Sequence, residues 1–259
     1  MQRLIAVLLL VALAGCQSTM PRDSDGDNTG ELGAPIKRAS PGDIYVELGT
    51  AYLADGRISE AFKNARKSVL VDPKLASGHN LLGVLYQRLG DNDKAGEHYR
   101  TAVKLEPRNP YALNALGSFL CAERKFDEAD GYFRRALNNP LYPTPWVASY
   151  NAGQCADQAG KLAAAETYYR AALKSNTRFA PALLQMAHLS FDQDNYLSAR
   201  AYLERYSQVA KHTADSLWLG VRTEKQLGDR DQVASYALKL RANFPDSEQA
   251  KFLDEVQKP

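Results

Sequence analysis

The chain has 259 residues, 45% of them hydrophobic, with 32 Lys and Arg against 30 Asp and Glu and a formal net charge of +2. Nearly balanced charge with no basic stripe argues against a nucleic-acid surface. Apart from the first fifteen residues, no stretch is long and apolar enough to cross a bilayer.

The first element is a leader. Residues 1–10 read "MQRLIAVLLL", and Arg3 is the single charge before residue 22. Residues 4–15 are all apolar or small, too short a run for a membrane span of roughly 20 residues but suited to a signal peptide over 1–15. An ordinary signal-peptidase cut after Ala14 or Gly15 is one reading. The other rests on a likeness: Leu13-Ala14-Gly15-Cys16 resembles the lipobox of bacterial lipoproteins. That resemblance implies a diacylglyceryl group on the Cys16 thiol, cleavage before it, and acylation of the new amine. Three acyl chains anchor firmly, since each buried methylene contributes about 0.8 kcal/mol. Gln17 in place of Asp implies, by the same likeness, the outer membrane, with the chain facing an oxidising periplasm.

Residues 16–41 follow as the acylated cysteine and a tether. The stretch is rich in Ser, Asp, Gly and Pro and has no apolar period, so it buries too little surface to order itself. As a flexible chain it would span about 25–30 Å.

From residue 42 an internal repeat begins. "YVELGTAYLADGRISEAFKNARKSVLVDP", "HNLLGVLYQRLGDNDKAGEHYRTAVKLEP" and "LNALGSFLCAERKFDEADGYFRRALNNP" share an early Leu-Gly, an Ala twelve after the Gly, and a closing Pro. This resembles the tetratricopeptide repeat, a pair of helices A and B every 34 residues. Repeats start at 42, 76, 110, 146, 180 and 214 and cover 42–247. The resemblance implies an all-α superhelix of six helix pairs with a short capping helix at the C-terminus.

The residue types suit that packing. Position 8 holds Gly49, Gly83, Gly117, Gly153 and Ala187; position 20 holds Ala61, Ala95, Ala129, Ala165 and Ala199. Small residues there let helix A approach helix B. Position 24 is a larger filler: Tyr99, Phe133, Tyr169 and Leu203. Ala102, Ala136 and Ala172 at position 27 admit the next A helix. Pro73, Pro107 and Pro245 stop helix B, and Gly56, Gly90, Gly160 and Gly228 fall where a left-handed cap ends helix A. Repeat 6 departs: Val233 takes the place of the position-20 Ala, and Leu219-Gly220 comes one residue early. The tail over 248–259 can form an amphipathic capping helix through Ala250, Phe252, Leu253 and Val256.

Stacked A helices make a concave wall that includes Val46, Leu53, Val84, Tyr111, Tyr150 and Trp218. Cys121 and Cys155 lie on the A helices of repeats 3 and 4. Their positions, 12 and 10, differ by about 200° of helix azimuth, which suits a bridge between parallel neighbours; two buried free thiols are the alternative. No ligand spacing suggests a metal, and none suggests a cofactor. The four histidines, His79, His98, His188 and His212, stand in different repeats with no nucleophile or paired carboxylate at a recognisable spacing. Each reads as a surface or packing residue, and the chain reads as a binding protein, not an enzyme.

The corner "NNPLYPTPWVASYNAGQCA", with "FLCAERKFDEADGYFRRALNNP" before it, resembles the type IV pilus biogenesis lipoproteins of the PilF/PilW group. The likeness takes in the lipobox cysteine, all six repeats and the corner. It implies a pilotin, which escorts the pilus secretin to the outer membrane and promotes its assembly into a multimer. It also implies a disulfide between Cys121 and Cys155, and a partner-binding groove in the early repeats. That groove maps onto Val46, Thr50, Leu53, Leu81, Val84 and Leu85, of which Leu81 and Leu85 read as core residues as well, with Tyr111 and Tyr150 further along the wall. Period and composition alone also fit a periplasmic scaffold for other cell-envelope complexes.

Overall fold

A computed structural model describes residues 40–256. The expected signal peptide, the expected lipidation site Cys16 and nearly all of the expected tether lie outside the described residues. Among the described residues there are thirteen α-helices and no strand. Twelve form six antiparallel pairs: α1 (Pro41–Ala54) with α2 (Ile58–Val71), α3 (Ala76–Arg88) with α4 (Asn92–Leu105), and α5 (Pro110–Ala122) with α6 (Phe126–Leu137). Then come α7 (Pro145–Gln158) with α8 (Leu162–Ser175), α9 (Ala180–Asp192) with α10 (Tyr196–Ser207), and α11 (Ala214–Leu227) with α12 (Arg230–Asn243). The chain closes on α13 (Glu248–Val256), which packs on α11 and α12 through Ala250 and Leu253. This is the all-α tetratricopeptide superhelix.

Local chemistry sets the helix boundaries. Ser40 caps α1 in a capping box with Asp43, and Pro41 occupies its first turn. Asn109 accepts from the Tyr111 and Ala112 N–H groups ahead of α5. Asp72 ends α2 in extended conformation (φ −132°) and Glu106 leaves the helical region at the end of α4 (φ −129°), each just before a proline. Between A and B the chain turns through a left-handed residue. It is glycine in four repeats, but Arg124 (φ 60°) and Asp194 (φ 56°) hold the same conformation without that freedom.

Packing follows the small residues. The five alanines of position 20 are completely buried. A Cβ on Gly83 would stand 2.7 Å from the Tyr99 ring, and one on Gly153 would stand 2.6 Å from Tyr169. The glycine faces the aromatic sixteen residues on. Repeat 6 keeps that rule: Gly220 faces Tyr236 at 2.7 Å, so glycine and aromatic are displaced together and the contact survives. The turn between α11 and α12 is two residues, Gly228 and Asp229, one fewer than the three between the helices of every other pair.

Four of the five successive A-helix pairs are in clear contact: α1 with α3, α3 with α5, α5 with α7, and α9 with α11. No comparable contact joins successive B helices among the described residues. The stack therefore has clefts between neighbouring B helices, floored by the A helix that lies between them. Repeats 5 and 6 are also tied by Arg200, whose guanidinium pairs with the buried Glu224 and with Asp229.

Candidate functional site

The first cleft lies between α2 and α4, over α3, and encloses about 1110 Å³. Ile58, Phe62 and Leu70 form one wall, His98 the other, and Leu82, Tyr86 and Leu89 the floor. Leu70 is 80% exposed and Leu89 60%. Leaving such side chains in water forgoes about 25 cal/mol for each Å² that a partner could cover. Phe62 meets Tyr86 edge-on at 5.0 Å, and Tyr86 stacks on His98 at 5.4 Å, so the aromatic lining is ordered. Lys63, Arg66 and Lys67 stand exposed along its rim on α2. The cleft is an apolar trough with a cationic edge, suited to an amphipathic segment bearing acidic residues.

This places the accessible apolar surface elsewhere than the sequence reading did. Leu81 and Leu85 are in the core, 5% and 0% exposed, and cannot meet a partner. They sit at the i and i+4 stripe of α3, which faces the other helices. Val46 and Leu53 of α1 are half-buried against the same core, and Val84 packs half-buried against the next cluster. Thr50 is exposed on α1. Tyr111 is exposed with its ring edge-on to Tyr142, whereas Tyr150 is half-buried between Tyr169 and Phe179. Sequence reasoning favoured A helices because they line a concave wall. It missed Phe62, Leu70 and Leu89, although an apolar pair Leu70-Val71 at the end of a B helix was a visible signal.

Cys121 and Cys155 are joined by a disulfide, with their Cα atoms 5.7 Å apart, linking α5 to α7. Both are nearly buried. Just above Cys155 lies the cleft between α6 and α8, only about 340 Å³. Here the Tyr168 hydroxyl donates across the gap to Asp130, which also pairs with Arg134, and Lys161 pairs with Asp127 at 2.6 Å. Burial, then the Asp130 carboxylate, pushes the Tyr168 hydroxyl up to about 12.

Three histidines make contacts between helices that spacing did not reveal. His188 bonds Asp215 at 2.7 Å between α9 and α11, and that hydrogen bond lowers the Asp215 pKa. His79 and His98 meet ring nitrogen to ring nitrogen at 3.0 Å. Burial, then the neighbouring His79, lowers the His98 pKa. No group of three or more His, Cys, Asp or Glu converges among the described residues.

The comparisons agree with this architecture. A family model described as tetratricopeptide repeat matches residues 80–144 and 122–181. The chain is 33% identical over 247 residues to the type IV pilus assembly protein PilF of Pseudomonas aeruginosa, covering 94% of each chain. Among solved structures, P. aeruginosa PilF superposes with a TM-score of 0.75 at 32% identity, covering 83% of this chain and 97% of that one. PilW, described as a widely conserved type IV pilus biogenesis factor, superposes with a TM-score of 0.75 at 31% identity, over 83% and 99%.

Proposed function

The chain belongs to the family of the type IV pilus biogenesis proteins PilF and PilW, and from that membership we propose that it is a pilotin acting at the outer membrane. Acylated at Cys16, it binds a segment of the pilus secretin and promotes the assembly of secretin subunits into the multimeric pore. The binding is non-covalent and involves no chemistry on the partner.

The observation that carries this reading is the open cleft of repeats 1 and 2, with Leu70 and Leu89 exposed beside Lys63 and Arg66. An unassembled secretin subunit exposes strand edges meant for its siblings, and such edges aggregate. Seating one amphipathic segment of the subunit in the trough holds it apart from wrong partners. The lipid anchor confines the search to the membrane surface, which raises the effective concentration without new contacts.

The test is recovery of secretin from detergent-solubilised envelope by wild type and by the double variant Leu70→Asp, Leu89→Asp. Both positions are exposed, so the variant should keep its helix content and melting temperature while losing the secretin. Leu53→Asp would be a poorer probe, because Leu53 packs against the core. Equal recovery by both proteins would remove the cleft from the binding surface. In the same cells Cys16→Ser should leave the protein soluble in the periplasm; fractionation with the outer membrane regardless would sink the anchoring part.

A further inference from the structure

We propose that His79 and His98 form a two-imidazole site for a divalent late first-row transition-metal ion of the Ni²⁺, Cu²⁺ and Zn²⁺ class. The two residues are 19 apart in sequence, on α3 and α4, and their Nδ1 atoms lie 3.0 Å from one another. That contact holds a single proton: one Nδ1 donates and the other accepts with its lone pair.

The donor can be assigned. Nε2 of His79 lies 3.2 Å from the Pro73 carbonyl oxygen. A carbonyl only accepts, so His79 carries its proton on Nε2 and presents a bare Nδ1. An imidazole with its N–H on a backbone carbonyl and its other nitrogen free is the orientation in which proteins hold metal-ligating histidines. His98 is then the Nδ1–H donor. Its ring is held nearly parallel to Tyr86, 5.4 Å away. Both rings are partly buried.

The nitrogen spacing is already close to that of a chelate. Two nitrogens at about 2.0–2.1 Å from a tetrahedral ion stand about 3.3 Å apart. An opening of a few tenths of an ångström, with each ring turned by about 35° so that its Nδ1 lone pair points at the ion and not at the other nitrogen, therefore converts the hydrogen bond into a chelate. The proton balance also closes. The ion takes both Nδ1 lone pairs, the Nδ1 proton of His98 leaves to water, and Nε2 of the same ring takes one up. No net proton is released at neutral pH. Among the described residues no third donor converges, so water fills the remaining positions. Two imidazoles with water favour Ni²⁺, Cu²⁺ and Zn²⁺ over Mg²⁺ and Ca²⁺, which require oxygen cages.

Calorimetric titration of the detergent-solubilised full-length protein with Ni²⁺ or Zn²⁺ alone at neutral pH tests the site. Wild type should bind one ion and melt at higher temperature with it. His79→Gln and His98→Gln should each bind at least tenfold more weakly and lose the metal-induced rise, while their melting in chelator shows whether they are folded. His188→Gln, which disturbs the other paired histidine, should bind as wild type does. Absence of binding by wild type, unchanged binding by a folded His79→Gln or His98→Gln variant, or loss confined to His188→Gln would each overturn the assignment and leave the pair as a hydrogen bond between two imidazoles.

Discussion

The cleft between α2 and α4 and the cleft between α6 and α8 are built on one frame and end in opposite states. Aligned on Gly49 with Gly117 and on Gly83 with Gly153, Phe62 corresponds to Asp130 and His98 to Tyr168. On the floor, Leu82, Tyr86 and Leu89 correspond to Ala152, Ala156 and Ala159. In the later cleft the Tyr168 hydroxyl and the Asp130 carboxylate meet across the gap, Lys161 reaches Asp127, and a disulfide lies beneath. In the earlier cleft the facing pair is aromatic and imidazole, and the described ion pairs, Arg57–Glu60 and Lys94–Asp91, stay within one helical turn. Whether a gap between B helices is bridged or left open is thus decided by the side chains at two facing positions.

The largest expected effect concerns the strap. The double variant Cys121→Ala, Cys155→Ala should lose about 3–4 kcal/mol of stability for a bridge spanning a sequence separation of 34. Urea unfolding measures it, and an unchanged midpoint would mean that the later joint stands without its bridge. Next comes the shared frame. Gly83→Ala and Gly153→Ala push a methyl to within 2.7 and 2.6 Å of a buried ring, so each should lower stability by about 1–3 kcal/mol. Markedly unequal losses would show that the two regions differ in their packing as well as in their clefts.

A third experiment exchanges the cleft residues. Phe62→Asp with His98→Tyr should let the early gap close as the later one does and weaken secretin recovery at least tenfold, about 1.4 kcal/mol. Undiminished recovery would place the docking surface outside this trough. Smaller again is the turn between A and B helices. Arg124 occupies the left-handed conformation that Gly56 and Gly90 supply in the early repeats. Arg124→Gly trades backbone strain for lost chain entropy and should stabilise by about 0.5 kcal/mol, read as a small rise in melting temperature.

The last effect shows only at alkaline pH. Tyr168 is held protonated to about 12, above the unfolded value near 10. Between those values the folded state binds more protons than the unfolded chain, so stability falls as pH rises. The contribution is fully present below pH 10 and lost through about pH 12. Tyr168→Phe should flatten this slope; an identical slope in the variant would assign it to other groups.

The repeating small residues were enough to write the helix pairs and their order, because these depend on neighbours within one repeat; that the position-8 glycine faces the position-24 aromatic came from the structure. Pro73 and Pro107 likewise marked helix ends through local backbone sterics alone. Leu81 and Leu85 show where that legibility stops. Their apolar character was plain, but whether they faced a partner or the core depended on which flank of α3 the neighbouring helices covered.

The sequence by itself determined a tetratricopeptide stack, since a 34-residue period of small and large side chains admits one way for each helix to nest on the next. Tertiary structure alone decided which cleft is open, which is strapped, and which histidines meet. Those outcomes depend on residues 19 to 38 positions apart facing one another across a gap, and the distance across a gap is set by the packing of the whole stack.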